Sequence, residues 1–168
     1  MKHTLRILGI AITSLLLILS IAGCSLSERI YTMPETQVTL SDIRITIPYG
    51  YIIDSTQSND TALVYETGFY AKYIVVTETG AVADGEEDQV LDDYVEYILE
   101  NGGSSQRTTF LEQPAVRSTF TAQDGKTAEE MLFIYKGYCY AISMRGGSEQ
   151  EFNDLLSTVV LSDEAVAV

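Results

Sequence analysis

The chain has 168 residues, with 24 acidic against 10 basic ones and a formal net charge of −14. That balance repels phosphate backbones and anionic headgroups, so it excludes nucleic acid as a partner and opposes flat adsorption to a bilayer. One histidine and two cysteines leave little for imidazole catalysis, His-ligated zinc or a disulfide framework.

Met1, Lys2, His3 and Arg6 make a basic start, and Ile7 to Ala22 is an almost unbroken apolar run ending in Ile21-Ala22-Gly23-Cys24. This is the order of a secretory signal peptide, and the run is shorter than the ~20 residues a spanning helix needs. A cysteine directly after Ala-Gly resembles the lipobox of bacterial lipoproteins. The resemblance implies cleavage between Gly23 and Cys24, acylation of Cys24, and a protein held by lipid on the extracytoplasmic side of the cell membrane. One acyl chain holds only marginally, so it also implies several. Removing residues 1–23 takes away His3, Lys2 and Arg6 but no acid. The remaining 145 residues carry eight basic and 24 acidic side chains, a net charge of −16. That length fits one domain with a real hydrophobic core. With Cys24 acylated, Cys139 is alone and no intramolecular disulfide is available.

Residues 24–37 read as the lipidated cysteine and a polar tether containing Pro34, residues 38–162 as a single domain, and residues 163–168 as a tail. Val38 to Leu40 and Ile43 to Ile47 have strand character, the second alternating isoleucine with polar residues. Pro48-Tyr49-Gly50-Tyr51 reads as a turn. Ala62 to Tyr65 and Tyr70 to Thr77 are the next predicted strands, joined through Glu66-Thr67-Gly68. A helix follows, with Asp84 as its cap, Glu86, Glu87 and Asp88 in its first turn, and Gly102-Gly103 as its stop. Val90, Leu91, Tyr94, Val95, Ile98 and Leu99 form its apolar stripe. Ala115 to Ala122, Ala128 to Tyr135 and Tyr138 to Met144 read as a three-strand meander, punctuated by Asp124-Gly125 and Lys136-Gly137. Ser148-Glu149-Gln150-Glu151 matches a capping box, and Phe152, Leu155, Leu156 and Val159 give a second amphipathic helix.

Strands, helix, strands, helix in that order predict an α+β fold: an antiparallel sheet covered by two amphipathic helices. The layout resembles the PsbP-like fold of thylakoid-lumen proteins and small bacterial lipoproteins. The resemblance rests on Ile43 to Gly50, the middle helix, and Lys136-Gly137-Tyr138 to Met144 followed by the Phe152 helix, and it spans roughly residues 37–162. It implies a non-enzymatic accessory or binding role and transfers no functional residue to this chain.

Asp84-Gly85-Glu86-Glu87-Asp88 has oxygen ligands for a hard cation but lacks the alternation and terminal glutamate of an EF-hand loop, and helix capping accounts for it. No metal or cofactor is assigned. Paired carboxylates are the requirement of a glycosidase, yet nothing in the sequence marks Glu66, Glu78, Asp92 or Asp93 as having a raised pKa. Cys139 alternates onto the face of Ala141, opposite Tyr138, Tyr140, Ile142 and Met144, and reads as a small buried hydrophobe. Among the eleven tyrosines, Tyr49, Tyr51, Tyr70 and Tyr73 form a candidate binding surface beside ordinary strand packing. The expected function is a membrane-tethered, non-enzymatic module that binds or assists another envelope protein. The alternative is a small carboxylate-dependent hydrolase of cell-envelope or exported polymers. Cys24→Ala is expected to move the protein out of the membrane fraction or leave an uncleaved precursor. A free Cys24 thiol in the mass spectrum of the native protein would contradict the lipoprotein reading.

Overall fold

The computed structural model describes residues 34–68, 72–122 and 124–162, so the expectations for residues 1–33, Tyr70 and the tail lie outside the described residues. In chain order its elements are β1 (Thr36–Leu40), β2 (Ile43–Ile47), β3 (Tyr51–Ile53), β4 (Ala62–Thr67), β5 (Tyr73–Ala81) and α1 (Glu87–Glu100). After them come β6 (Ser104–Phe110), β7 (Gln113–Thr121), β8 (Thr127–Tyr135), β9 (Tyr138–Arg145), α2 (Glu149–Leu156) and β10 (Val160–Leu161). Seven strands form one antiparallel sheet in the order β3-β4-β5-β9-β8-β7-β6, and β1-β2-β10 form a second.

The meander β7-β8-β9 is the centre of the large sheet, and it follows from local chemistry. Lys136 and Gly137 both take positive φ (50° and 74°), the geometry of a two-residue hairpin whose twist matches its strands. Alternation then sends Tyr140, Ile142 and Met144 to one face and Cys139 and Ala141 to the other, and every one of them is buried. On the first face, Leu40, Ile43, Ile45 and Ile47 of the small sheet pack with Phe152, Leu155 and Leu156 of α2 against Ile74, Val76, Phe133, Tyr140 and Ile142. On the second, Leu91, Tyr94 and Ile98 of α1 pack against Val116, Leu132, Ile134, Cys139 and Ala141.

An α+β fold with antiparallel sheets is therefore what the chain adopts, but the expected covering by two helices is replaced on one face. There the small sheet shares the work with α2. The isoleucines of β2 are responsible, since a strand with a buried alternate face can serve as a lid as well as a helix can. Smaller differences have local causes. The helix expected to be capped by Asp84 begins later, with Glu86 at the cap and no side-chain hydrogen bond, because Gly85 (φ 82°) first closes a turn from the Glu86 N–H to the Ala83 carbonyl. Leu99 is 53% exposed and leaves the apolar stripe. Helix α2 stops at Leu156, although Val159 is still buried beyond it. Glu66 and Thr67 belong to β4 itself, and β1 starts at Thr36.

The stop at Gly102-Gly103 is a Schellman motif. The Gly102 N–H reaches the Leu99 carbonyl at 3.1 Å and the Gly103 N–H reaches the Ile98 carbonyl at 3.0 Å. A Cβ on Gly103 would stand 2.7 Å from Ile98 Cγ2 and 3.0 Å from the Thr119 carbonyl oxygen, so only glycine lets the chain turn this closely from α1 into β6.

Two charge-bearing side chains, Glu130 and Arg145, are buried among the described residues, and Glu130 lies under α1. Glu130 of β8 is buried, aligned across the sheet with Ser118 of β7 and Ser143 of β9, and the Tyr94 hydroxyl of α1 donates to its Oε1. Burial pushes its carboxyl up to about 7, against the smaller opposing effect of the Tyr94 hydrogen bond. Desolvation and the neighbouring Glu130 likewise push the Tyr94 hydroxyl well above its usual range. The sign of the linkage follows. Between the ordinary carboxyl value of 4.5 and about 7, the folded chain keeps a proton that the unfolded chain releases, so stability falls as pH rises through that window. The domain is expected to lose ~1–3 kcal/mol between pH 5 and pH 8, and Glu130→Gln should flatten that slope. Parallel denaturation curves for the two proteins across this range would show that Glu130 does not titrate there.

Candidate functional site

The register of β6, β7 and β8 assembles a polar groove on the face that α2 borders. Val116 and Ser118 of β7 point toward α1, so Arg117 and Thr119 point the other way. Gln106 pairs with Arg117, Ser104 with Thr119, and Thr119 with Glu129, which places all five side chains together. The first turn of α2 adds Glu149, held in place by a complete capping box: the Glu151 N–H donates to Ser148 Oγ at 3.2 Å and the Ser148 N–H donates to Glu151 Oε2 at 2.8 Å. Lys72 ties the other Glu151 oxygen at 2.5 Å. Its bond and those of Ser148 hold the Glu151 carboxyl below the usual range.

The result is an open groove of about 300 Å³ lined by Ser104, Ser105, Gln106, Arg117, Thr119, Glu129 and Glu149. Arg117 organises it. Its Nη1 donates to Asn153 Oδ1 at 2.8 Å, and its Nη2 lies 3.5 Å from Glu149 Oε1 and 3.6 Å from Glu129 Oε2. The guanidinium also sits 5.5 Å from the ring centroid of buried Phe152, so the floor of the groove is the top of the core. One cation between two carboxylates gives the groove a formal charge of −1. Hydroxyls, an amide and a planar guanidinium recognise polar groups by hydrogen bonding. The hydroxyls of Ser104, Ser105 and Thr119 share the groove with the Glu129 and Glu149 carboxylates, both of which lie within ion-pair distance of Arg117.

Elsewhere the expected site residues are dispersed. Tyr51 packs beside Tyr65 and Ile74 on the small-sheet face, whereas Tyr73 lies on the opposite face, with the Arg145 guanidinium 4.2 Å from its ring centroid. Tyr49 is exposed in the turn before β3, and Tyr70 is outside the described residues, so no shared face joins the described three. Cys139 is buried, and desolvation pushes its thiol up to about 12, the state of an inert core residue. Asp88 and Asp92, at the start of α1, both engage Arg107 of β6, at 2.5 and 2.8 Å. Glu78 accepts from the Ser41 hydroxyl. Glu66 differs from its sequence reading, because partial burial and the nearby Asp54 raise its carboxyl. Burial opposes ionisation of Asp54 as well, but hydrogen bonds from Thr56 and Gln57 outweigh it and hold that carboxyl low. Among the described residues, no group of three or more His, Cys, Asp or Glu side chains is arranged to hold a metal ion, and no helix is long and apolar enough to cross a membrane.

Arg117 has a weak signal in the sequence: a lone arginine in the strand Ala115-Val116-Arg117-Ser118 that alternates away from the core. Its partners on α2 are 32 and 36 residues away, and only the fold brings them to it.

No known family matches this chain as a sequence, and no curated protein does either. Among solved structures, the cyanobacterial PsbP (CyanoP) of Synechocystis sp. PCC 6803 is similar at a TM-score of 0.52 and 10% identity. The match covers 83% of this chain and 98% of that one. A crystal structure from Bacteroides thetaiotaomicron VPI-5482 is similar at a TM-score of 0.49 and 14% identity, over 79% of this chain and 50% of that one. The likeness to cyanobacterial PsbP is one of fold: the chain has a PsbP-like α+β architecture.

Proposed function

We propose that this protein is a non-enzymatic accessory module, exported and tethered to the outer face of the cell membrane by lipid on Cys24, which binds another envelope protein through the Arg117 groove. The observation that carries this reading is the groove itself. It is open, polar and centred on a half-buried guanidinium fixed by Asn153, Glu149 and Glu129, a constellation suited to docking. The signal and lipobox residues support the tether, and the strongly acidic mature surface leaves lipid as the means of membrane contact.

The alternative is a carboxylate hydrolase, in which Glu66, raised by partial burial and the nearby Asp54, would act as the acid and Asp54, held low by its hydrogen bonds, as the base. The two readings part in one experiment. Cross-linking on the native membrane, followed by mass spectrometry, should recover a partner with the wild-type chain and several-fold less of it with Arg117→Ala, while Arg117→Lys recovers an intermediate amount. Unchanged recovery from a folded Arg117→Ala protein would exclude the groove. Release of soluble fragments from isolated envelope polymer by wild type but not by Glu66→Gln would put the hydrolase in its place.

A further inference from the structure

Strand β6 closes one side of the large sheet, and its geometry shows which backbone groups are left open. Leu111 and Glu112 both have positive φ (49° and 65°), so they form a two-residue hairpin loop between Phe110 and Gln113. In such a hairpin the closing pair is hydrogen-bonded, and hydrogen-bonded and non-hydrogen-bonded pairs alternate from there. Phe110, Thr108, Gln106 and Ser104 therefore bond to β7, whereas the N–H and C=O groups of Thr109, Arg107 and Ser105 point away from it. The close approach of the Ser105 and Ser118 hydroxyls, 2.8 Å apart, fits a non-hydrogen-bonded pair. Among the described residues no strand pairs with this outer edge, and Gln106 to Thr109 are all exposed.

Open edges are ordinarily blunted by short length, proline, lysine or a bulge. The opposite edge, β3, is three residues long. Strand β6 has seven residues, no proline or lysine, and an unbroken register with β7 from Ser104 to Phe110. Its single charge, Arg107, is drawn toward α1 by Asp88 and Asp92. Both flanks of the strand are net acidic. Glu149, 73% exposed, and Glu129 outnumber Arg117 on the groove side, and Asp88, 85% exposed, and Asp92 outnumber Arg107 on the other.

We infer that β6 is a strand-addition site, which takes an extended segment of a partner protein whose side chains alternate so as to place lysine or arginine beside these flanking carboxylates. Main-chain bonds to Ser105, Arg107 and Thr109 supply the affinity, and the groove and the α1 carboxylates read the alternate side chains. A second copy of this chain is a poor occupant, because two strongly acidic copies repel each other. The inference rests on the docking role of the groove and gives that role a partner chemistry.

The test uses the full chain, solubilised in non-ionic detergent, and three octapeptides: alternating threonine and lysine, the same peptide N-methylated at every residue so that neither edge can donate, and alternating threonine and glutamate. The first should bind and slow amide exchange at Ser105, Arg107 and Thr109. The methylated peptide keeps the charge but cannot pair, and it should bind roughly tenfold more weakly or worse. The acidic peptide should not bind. Equal affinity for the methylated and unmethylated peptides, or unchanged exchange at those three amides, overturns strand addition. Thr109→Pro removes an outward N–H without touching a bond to β7. If it keeps a partner that Arg117→Ala loses, the edge is excluded while the groove stands; if both variants keep it, the groove falls too.

Discussion

Everything in this fold depends on β8 and β9 being buried on both faces. An antiparallel sheet commonly wets one side. Here Met131, Phe133 and Tyr135 on one face of β8 are as covered as Leu132 and Ile134 on the other, and the neighbouring strand β9 behaves the same way. Two lids are then obligatory. Helix α1 supplies one, and the small sheet with α2 supplies the other. Cys139 is a buried free thiol, so among the described residues hydrophobic packing, and no covalent staple, holds these layers together. The Phe133 and Tyr140 rings, stacked 5.6 Å apart, and Phe110 edge-on at 5.2 Å knit three strands into one block against which both lids close.

Two-sided burial also explains the raised carboxyl of Glu130. A glutamate at position 130 has no route to water because α1 lies over it, so burial raises its carboxyl while the Tyr94 hydroxyl donates to it, with Ser118 and Ser143 in line on either side. A leucine there would pack more simply. Instead, Tyr94 and Glu130 meet only when α1 sits in one rotational setting, and that setting aims Asp88 and Asp92 at Arg107. The buried pair and the surface pair thus locate the same helix from inside and outside, which fixes α1 beside β6.

The parts of the fold that were legible in the sequence are those where one face is apolar at a regular period. Ile43, Ile45 and Ile47, the meander, and the Ser148 capping box read directly, because each is decided by residues a few positions apart. Strand β6 did not read. Ser104-Ser105-Gln106-Arg107-Thr108-Thr109 has no apolar alternate, and the hairpin that makes it a strand turns on Leu111-Glu112, which lack the usual Asn-Gly or Asp-Gly signal. Strands β3 and β10 are too short to carry a period. The groove was invisible for a related reason. Arg117 meets Glu149 and Asn153 only through the packing of α2, and the tyrosines that stood out by number fall on opposite faces because a strand's alternation separates Tyr51 from Tyr73.

What the sheet's interior settles, its border leaves open, and the border is where polar residues gather. A face buried by a lid must be apolar, so hydrophobic pattern locates the core and says little about recognition. The edge β6 and the groove beside it are built from serine, threonine, glutamine and arginine, residues that contribute little to folding at that position. Their placement is nevertheless rigid: Phe152 under Arg117, the capping box behind Glu149, and the Schellman turn at Gly102-Gly103 that delivers β6 each tie the border to the core. Polar side chains on a mobile loop would lose entropy on binding, whereas side chains already fixed on a sheet edge lose far less. A border with that rigidity and no packing duty of its own is the region of this molecule best prepared to meet another protein.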